Sequence, residues 1–202
     1  MPLIKSNNNK LIFDEIFKVD FNIKNFNPNM PNKRLEVNDF IYRPTNFKYS
    51  DDFYPIPCFY NAEKDMLSYA LNINPYDTLN APFHFIYLRE HVKELGNISF
   101  NHRYDLPSTY NDPYFIFSTG RCGSTLLSKI LQCFDTISIS EPDFYNQLIH
   151  QYMPVRTELS LLKFQQIYSM MTADLLAPFA NKKIFLKLQC LFQRLGTTLA
   201  LG

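Results

Sequence analysis

Between residues 114 and 188 the apolar positions fall into short blocks with two alternating periods. Tyr114-Phe115-Ile116-Phe117 is a continuous apolar run of β-formers, which predicts a strand buried on both faces of a parallel sheet. The polar, glycine-containing segment Ser118 to Thr125 follows, and then Leu126, Leu127, Ile130, Leu131 and Phe134 recur at helical spacing. Ile137-Ser138-Ile139-Ser140 suits a second strand, and Asp143 to Tyr152 a helix with Phe144, Leu148 and Tyr152 on one face. Thr157 is placed to cap a longer helix whose stripe is Leu161, Phe164, Tyr168, Met171 and Leu175. Ile184-Phe185-Leu186 supplies a third strand. The order strand, glycine loop, helix, strand, helices, strand predicts an α/β domain with a parallel sheet flanked by helices in three layers.

The first half of the chain has a different texture. From Met1 to about Tyr49 it is rich in Asn, Lys and Phe and keeps no sustained period of 2 or 3.6, so long elements are not expected there. Asp51 to Tyr60 alternates aromatics with Pro55 and Pro57, favouring extended backbone, and Ala62 to Leu71 reads as a short helix. Phe83 to Leu88 reads as a strand or the start of a buried helix, continued by a charged helical stretch that Gly96 stops. Pro107 and Pro113 bracket a polar link. The expected division is an irregular accessory region over 1–110 and an α/β domain over 111–202.

Composition narrows the class. The 202 residues are 46% hydrophobic and 19% charged, which excludes global disorder and supports a packed core. Twenty Lys and Arg against 19 Asp and Glu give a net charge of +1, so no overall field favours nucleic acid or an anionic bilayer, and any anion site must be local. The four cysteines form no C-x-x-C pair, and His84, His91, His102 and His150 have no metal-ligand spacing, so no metal is expected. The N-terminus lacks the apolar run of a signal peptide and no 18-residue apolar stretch occurs, which points to a soluble, cytoplasmic protein without a membrane span.

Only 5 glycines are present, and Gly120 and Gly123 share the loop between the first predicted strand and helix. At such a junction the first helical amides lack internal partners and carry the positive end of the helix dipole, which makes a phosphate or sulfate cradle. Gly120 and Gly123 let the backbone approach an anion, Arg121 adds a fork of donors, and Ser124 and Thr125 add hydroxyls. Cys122 lies where Arg121 and the helix start would lower a thiol pKa; it reads either as a reactive thiol or as loop filler. A plain tight turn is the competing reading of the loop. The spacing is not that of a Walker A loop, because no lysine precedes Ser124.

The run Phe115 to Leu127, with its Arg-x-Gly-Ser-Thr-Leu-Leu core at Arg121 to Leu127, resembles the 5′-phosphosulfate-binding loop of the sulfotransferase family. The resemblance extends over roughly residues 112–190 and implies a P-loop-like fold with 3′-phosphoadenosine 5′-phosphosulfate (PAPS) as co-substrate, bound by Gly120, Arg121, Cys122, Gly123, Ser124 and Thr125. The implied reaction is in-line sulfuryl transfer from this nucleotide donor to a hydroxyl or amine of an unidentified acceptor, with no metal. Glu141, at the close of the second predicted strand, is the candidate base, the alternative being a helix-start carboxylate beside Pro142 and Asp143. Lys187 resembles the lysine that some members hold near the bridging oxygen, the alternative being an exposed strand-end lysine; Gln189 stands where some members have a histidine base.

The resemblance also implies a later strand ending in Arg and a following Ser for the 3′-phosphate. Fourteen residues follow Leu188 without that pattern, so the expectation is either a fragment corresponding to the first half of a longer enzyme or a deviant tail in place of the second half, and both threaten activity. Two other readings stay open at this point: a non-catalytic remnant or interaction module, and a P-loop nucleotide kinase or NTPase.

Overall fold

The computed structural model describes residues 11–22, 37–45, 54–104, 112–117, 123–152 and 158–188. Within them the chain is a mixed α/β protein with two sheets. Strands β1 (Glu15–Phe21), β2 (Phe40–Pro44), β3 (Ile56–Asn61), β4 (Met66–Leu71) and β5 (Glu94–Ser99) pair antiparallel in the order β2-β1-β5-β4-β3. Strands β6 (Tyr114–Phe117), β7 (Ile137–Ser140) and β8 (Ile184–Leu188) form a parallel sheet in the order β6-β8-β7. The helices are α1 (His84–His91), α2 (Phe100–Tyr104), α3 (Ser124–Gln132), α4 (Asp143–Tyr152) and α5 (Glu158–Leu176).

The antiparallel sheet corrects the expectation of an irregular first half. Over residues 62–71 the expected helix is instead the second arm of a hairpin: Met66 to Leu71 is buried on both faces, so its Met, Leu and Ala content reflects the core and not a helix. Gly96 stops no helix. It lies inside β5, where a Cβ would come within 2.6 Å of the Phe13 ring, and that ring also packs on Tyr69 at 5.7 Å between centroids. Phe83 to Leu88 resolves into the N-cap and first residues of α1.

In the second half the expected strands and helices form in the expected order, with Thr157 outside the described residues. Two details differ. Strand β6 is an edge among the described strands, and Tyr114, Phe115 and Phe117 are exposed instead of buried on both faces, because no described element covers them. Helix α3 turns its apolar stripe outward, with Leu126, Leu127, Ile130 and Phe134 exposed, and sits on the sheet through Ser128, whose hydroxyl meets that of Ser138 at 2.6 Å.

One apolar cluster runs through both sheets, from Val19, Tyr69 and Leu95 through Phe144 and Leu148 of α4 and Met171 and Leu176 of α5 to Ile139 and Leu186. Two side chains of α4 seal the open edge of β3. Gln147 Oε1 accepts the Tyr60 amide at 2.9 Å, and Gln151 Nε2 donates to the Tyr60 carbonyl at 3.1 Å. Asp174 of α5 takes Arg103 Nε and Nη2 at 2.9 and 2.5 Å and the Tyr69 hydroxyl at 2.7 Å, so one carboxylate ties α2, α5 and β4. None of the described helices is long and apolar enough to cross a membrane.

Two stability predictions arise from this packing. Asp174→Ala leaves the Arg103 guanidinium, 2% exposed, without its carboxylate, and should cost about 3 kcal/mol in chemical denaturation. His84 is 2% exposed with neither ring nitrogen hydrogen-bonded, and burial pushes its imidazole from 6.5 down to about 4. Above pH 6.5 the ring is neutral folded or unfolded and exerts no pH effect; as pH falls from 6.5 to about 4 only the unfolded chain takes the proton, so stability drops. The loss should reach roughly 3 kcal/mol near pH 4, and His84→Leu should remove that part of the slope in denaturation curves taken across the window.

Candidate functional site

The carboxyl ends of β6, β7 and β8 lie side by side, and the chemistry-bearing residues gather above them. Phe117 pairs with Leu188, and Ser140 with Lys187, so the three strand ends form one edge with the central strand β8 between its neighbours. Helix α3 starts immediately over this edge. Gly123 is its N-cap at φ 78°, ψ 9°, and the Gly123 carbonyl accepts the first intrahelical bond, from the Leu127 amide at 3.0 Å. The amides of Ser124, Thr125 and Leu126 precede that bond, which is the donor arrangement of an anion cradle.

Lys187 is the centre of the site. Its alternative reading as an exposed strand-end residue does not hold, since it is only 3% exposed. Its ammonium donates to Glu141 Oε1 at 2.5 Å and to Thr125 Oγ1 at 3.1 Å, and lies 5.2 Å from the centroid of the Phe83 ring. A cation this deep requires compensation, and the carboxylate, hydroxyl and aromatic face supply it from three different segments.

Glu141 is held by its backbone as well as by its side chain. Its amide donates to the Lys187 carbonyl at 2.8 Å, prolonging the β7–β8 ladder by one bond, and its φ of 54° then turns the chain towards α4. Of the four non-glycine residues with positive φ among those described, Asp65, Asn72, Asp135 and Glu141, it alone lacks the short polar side chain that eases this conformation. The reading of Glu141 as a helix-start residue is therefore incomplete: α4 does begin two residues on, at Asp143, but the carboxylate is committed to Lys187.

The supports of α3 also position Phe83. Lys129 Nζ donates to the Leu79 and Ala81 carbonyls at 2.6 and 3.3 Å, and Gln132 Nε2 donates to Leu79 and Ser138 carbonyls at 3.2 and 2.9 Å. These bonds fasten the segment leading into α1 against α3, and the next apolar residue along it, Phe83, covers the Lys187 ammonium. Burial pulls the Lys129 ammonium below its ordinary value.

Of the residues singled out in the sequence, Gly123, Thr125, Glu141 and Lys187 thus converge, with Ser124 at the first position of α3. Gly120, Arg121, Cys122 and Gln189 lie outside the described residues. Two neighbours were missed. Phe83 had no signal beyond being aromatic, whereas Ser140 had one: in Ile137-Ser138-Ile139-Ser140 every second position of a fully buried strand is a hydroxyl. Ser138 spends its hydroxyl on Ser128, but the Ser140 Oγ is buried without a hydrogen-bond partner. No group of three or more His, Cys, Asp or Glu residues among those described is arranged to hold a metal.

A Cβ on Gly123 would meet nothing within 4 Å, so Gly123→Ala tests conformation alone; with φ at 78° it should lower stability by about 1 kcal/mol, read by chemical denaturation. Comparison with known proteins gives no match to this chain among family models, curated proteins or solved structures.

Proposed function

We propose that the chain carries the donor half of a sulfotransferase-like, P-loop-like site, in which PAPS gives its sulfuryl group to a hydroxyl or amine of an acceptor. The observation that carries this reading is the convergence of Lys187, Glu141 and Thr125 at the N-terminus of a glycine-capped helix, over the carboxyl edge of a parallel sheet. A cation, a carboxylate and the first amides of a helix are groups that in-line transfer can use.

Each group has a role set by its chemistry. The α3 amides with Ser124 and Thr125, joined in sequence by Gly120, Arg121, Cys122 and Gly123, bind the phosphosulfate. Lys187 neutralises the bridging oxygen as the S–O bond to the phosphate breaks. Glu141 removes the proton of the acceptor hydroxyl as its oxygen bonds to sulfur. The products are the sulfate ester, adenosine 3′,5′-bisphosphate and the proton left on Glu141, so charge and atoms balance without a metal. The lysine and the carboxylate touch one another, so a transferred group can enter between them only when that contact opens.

Adenosine 3′,5′-bisphosphate should raise the thermal midpoint, by an amount corresponding to about 2.7 kcal/mol at a hundredfold excess over Kd, and Arg121→Ala or Lys187→Met should abolish the shift. Absence of any shift at millimolar ligand would remove the donor site. With a competent acceptor, Glu141→Gln should lower kcat by about 10² to 10⁴ while the donor remains bound; parallel loss of donor affinity would instead make Glu141 a binding residue.

A further inference from the structure

We infer that the Ser140 hydroxyl is a further ligand-binding group of this site, one that donates to a tetrahedral oxyanion seated where the Glu141 carboxylate now meets Lys187. The inference rests on the anion-site reading given above but not on the nucleotide part of it.

The side chains of β7 alternate between faces. Ile137 and Ile139 join the apolar core, and Ser138 and Ser140 point the other way. The direction of that second face is fixed by contacts: the Ser138 hydroxyl reaches Ser128 of α3, and Lys187, the register partner of Ser140, reaches Thr125 of α3. Ser140 therefore faces the underside of α3 one step nearer the carboxyl edge than Ser138, beside Lys187. It is 7% exposed, and its Oγ has no hydrogen-bond partner.

A buried hydroxyl left unbonded costs about 1 to 3 kcal/mol, whereas alanine at the same place would cost nothing of the kind. The neighbouring serine is satisfied, so the strand does not lack partners in general. What distinguishes Ser140 is its place beside Lys187 in the sheet register, a buried cation whose present partner is a planar carboxylate with two oxygens. A sulfate or phosphate group on Lys187 offers additional oxygens in a tetrahedral array and so can accept from the lysine, Thr125 and Ser140 together. The Glu141 carboxylate then acts as a stand-in for the ligand on Lys187, displaced from the ammonium when the anion arrives.

Binding of inorganic sulfate and of adenosine 3′,5′-bisphosphate by the full chain and its variants tests this, with thermal midpoints measured alongside. Ser140→Ala should weaken both ligands about tenfold or more with its midpoint equal to or above wild type. Ser138→Ala should lower the midpoint without a comparable loss of affinity, and Glu141→Gln, which removes the competing anion, should tighten sulfate. Unchanged affinity in Ser140→Ala, or a lowered midpoint in that variant, would overturn the inference and leave the donor reading standing. Sulfate binding that depends on Ser140 without any binding of the bisphosphate would support the oxyanion site and sink the nucleotide reading. Binding of neither ligand by wild type would remove both.

Discussion

A lysine that is 3% exposed on the middle strand of a three-stranded sheet sets the terms for everything around it. An ammonium taken out of water costs several kcal/mol unless its charge and its donors are met, and Lys187 cannot be met by its own strand. Its partners come from the end of β7, the start of α3 and the approach to α1. Each of those three segments must accordingly be held in place by something else. The surrounding hydrogen bonds are those holds: the extra ladder bond from the Glu141 amide, the Ser128–Ser138 contact under α3, and the carbonyls of Leu79 and Ala81 gripping Lys129.

The antiparallel sheet enters the same chain of dependence. Helix α4 begins two residues after Glu141, and its glutamines clasp both backbone groups of Tyr60 at the open edge of β3. The turn at Glu141 is thus bounded on one side by the parallel sheet and on the other by a helix pinned to the antiparallel one. A left-handed glutamate is an unfavourable conformation by about 1 kcal/mol, and such conformations persist where both flanks are over-determined. Apolar packing continuous across the two sheets supplies that determination.

How much of this was readable from residue order depends on which physical signal each part carries. The α/β alternation after residue 112 and the glycine-capped start of α3 were legible because strand, turn and helix chemistry are local, whereas Lys187 was singled out only through the resemblance of the loop and its surroundings. The antiparallel sheet was not legible. Its strands β3 and β4 are buried on both faces, so they show no alternation, and Met66 to Leu71 has the composition of a helix. The outward stripe of α3 misleads in a second way: periodicity locates an apolar face but cannot say whether described neighbours cover it, and here the face on the sheet is the polar one. The pairing of Lys187 with Glu141 spans 46 residues and depends on β8 entering between β6 and β7, a fact of topology that no local pattern contains.

The polar seat of α3 has an electrostatic consequence. With Glu141 on Lys187 the pair is close to neutral, so in this arrangement the positive end of the described site is the N-terminus of α3. On the proposed reading, an anion that displaces the carboxylate gains the lysine as well, and the same step parts Glu141 from Lys187. Anion binding and the parting of Glu141 from Lys187 then share one free energy and must be reciprocal: whatever weakens the hold of Glu141 on Lys187 favours the anion, and a bound anion weakens that hold. Such an exchange keeps the buried ammonium paired throughout, since one negative partner replaces another. It also gives the unbonded Ser140 hydroxyl a place in the sequence of events, because it distinguishes the two partners by geometry: a carboxylate leaves it unsatisfied, and a tetrahedral oxyanion does not.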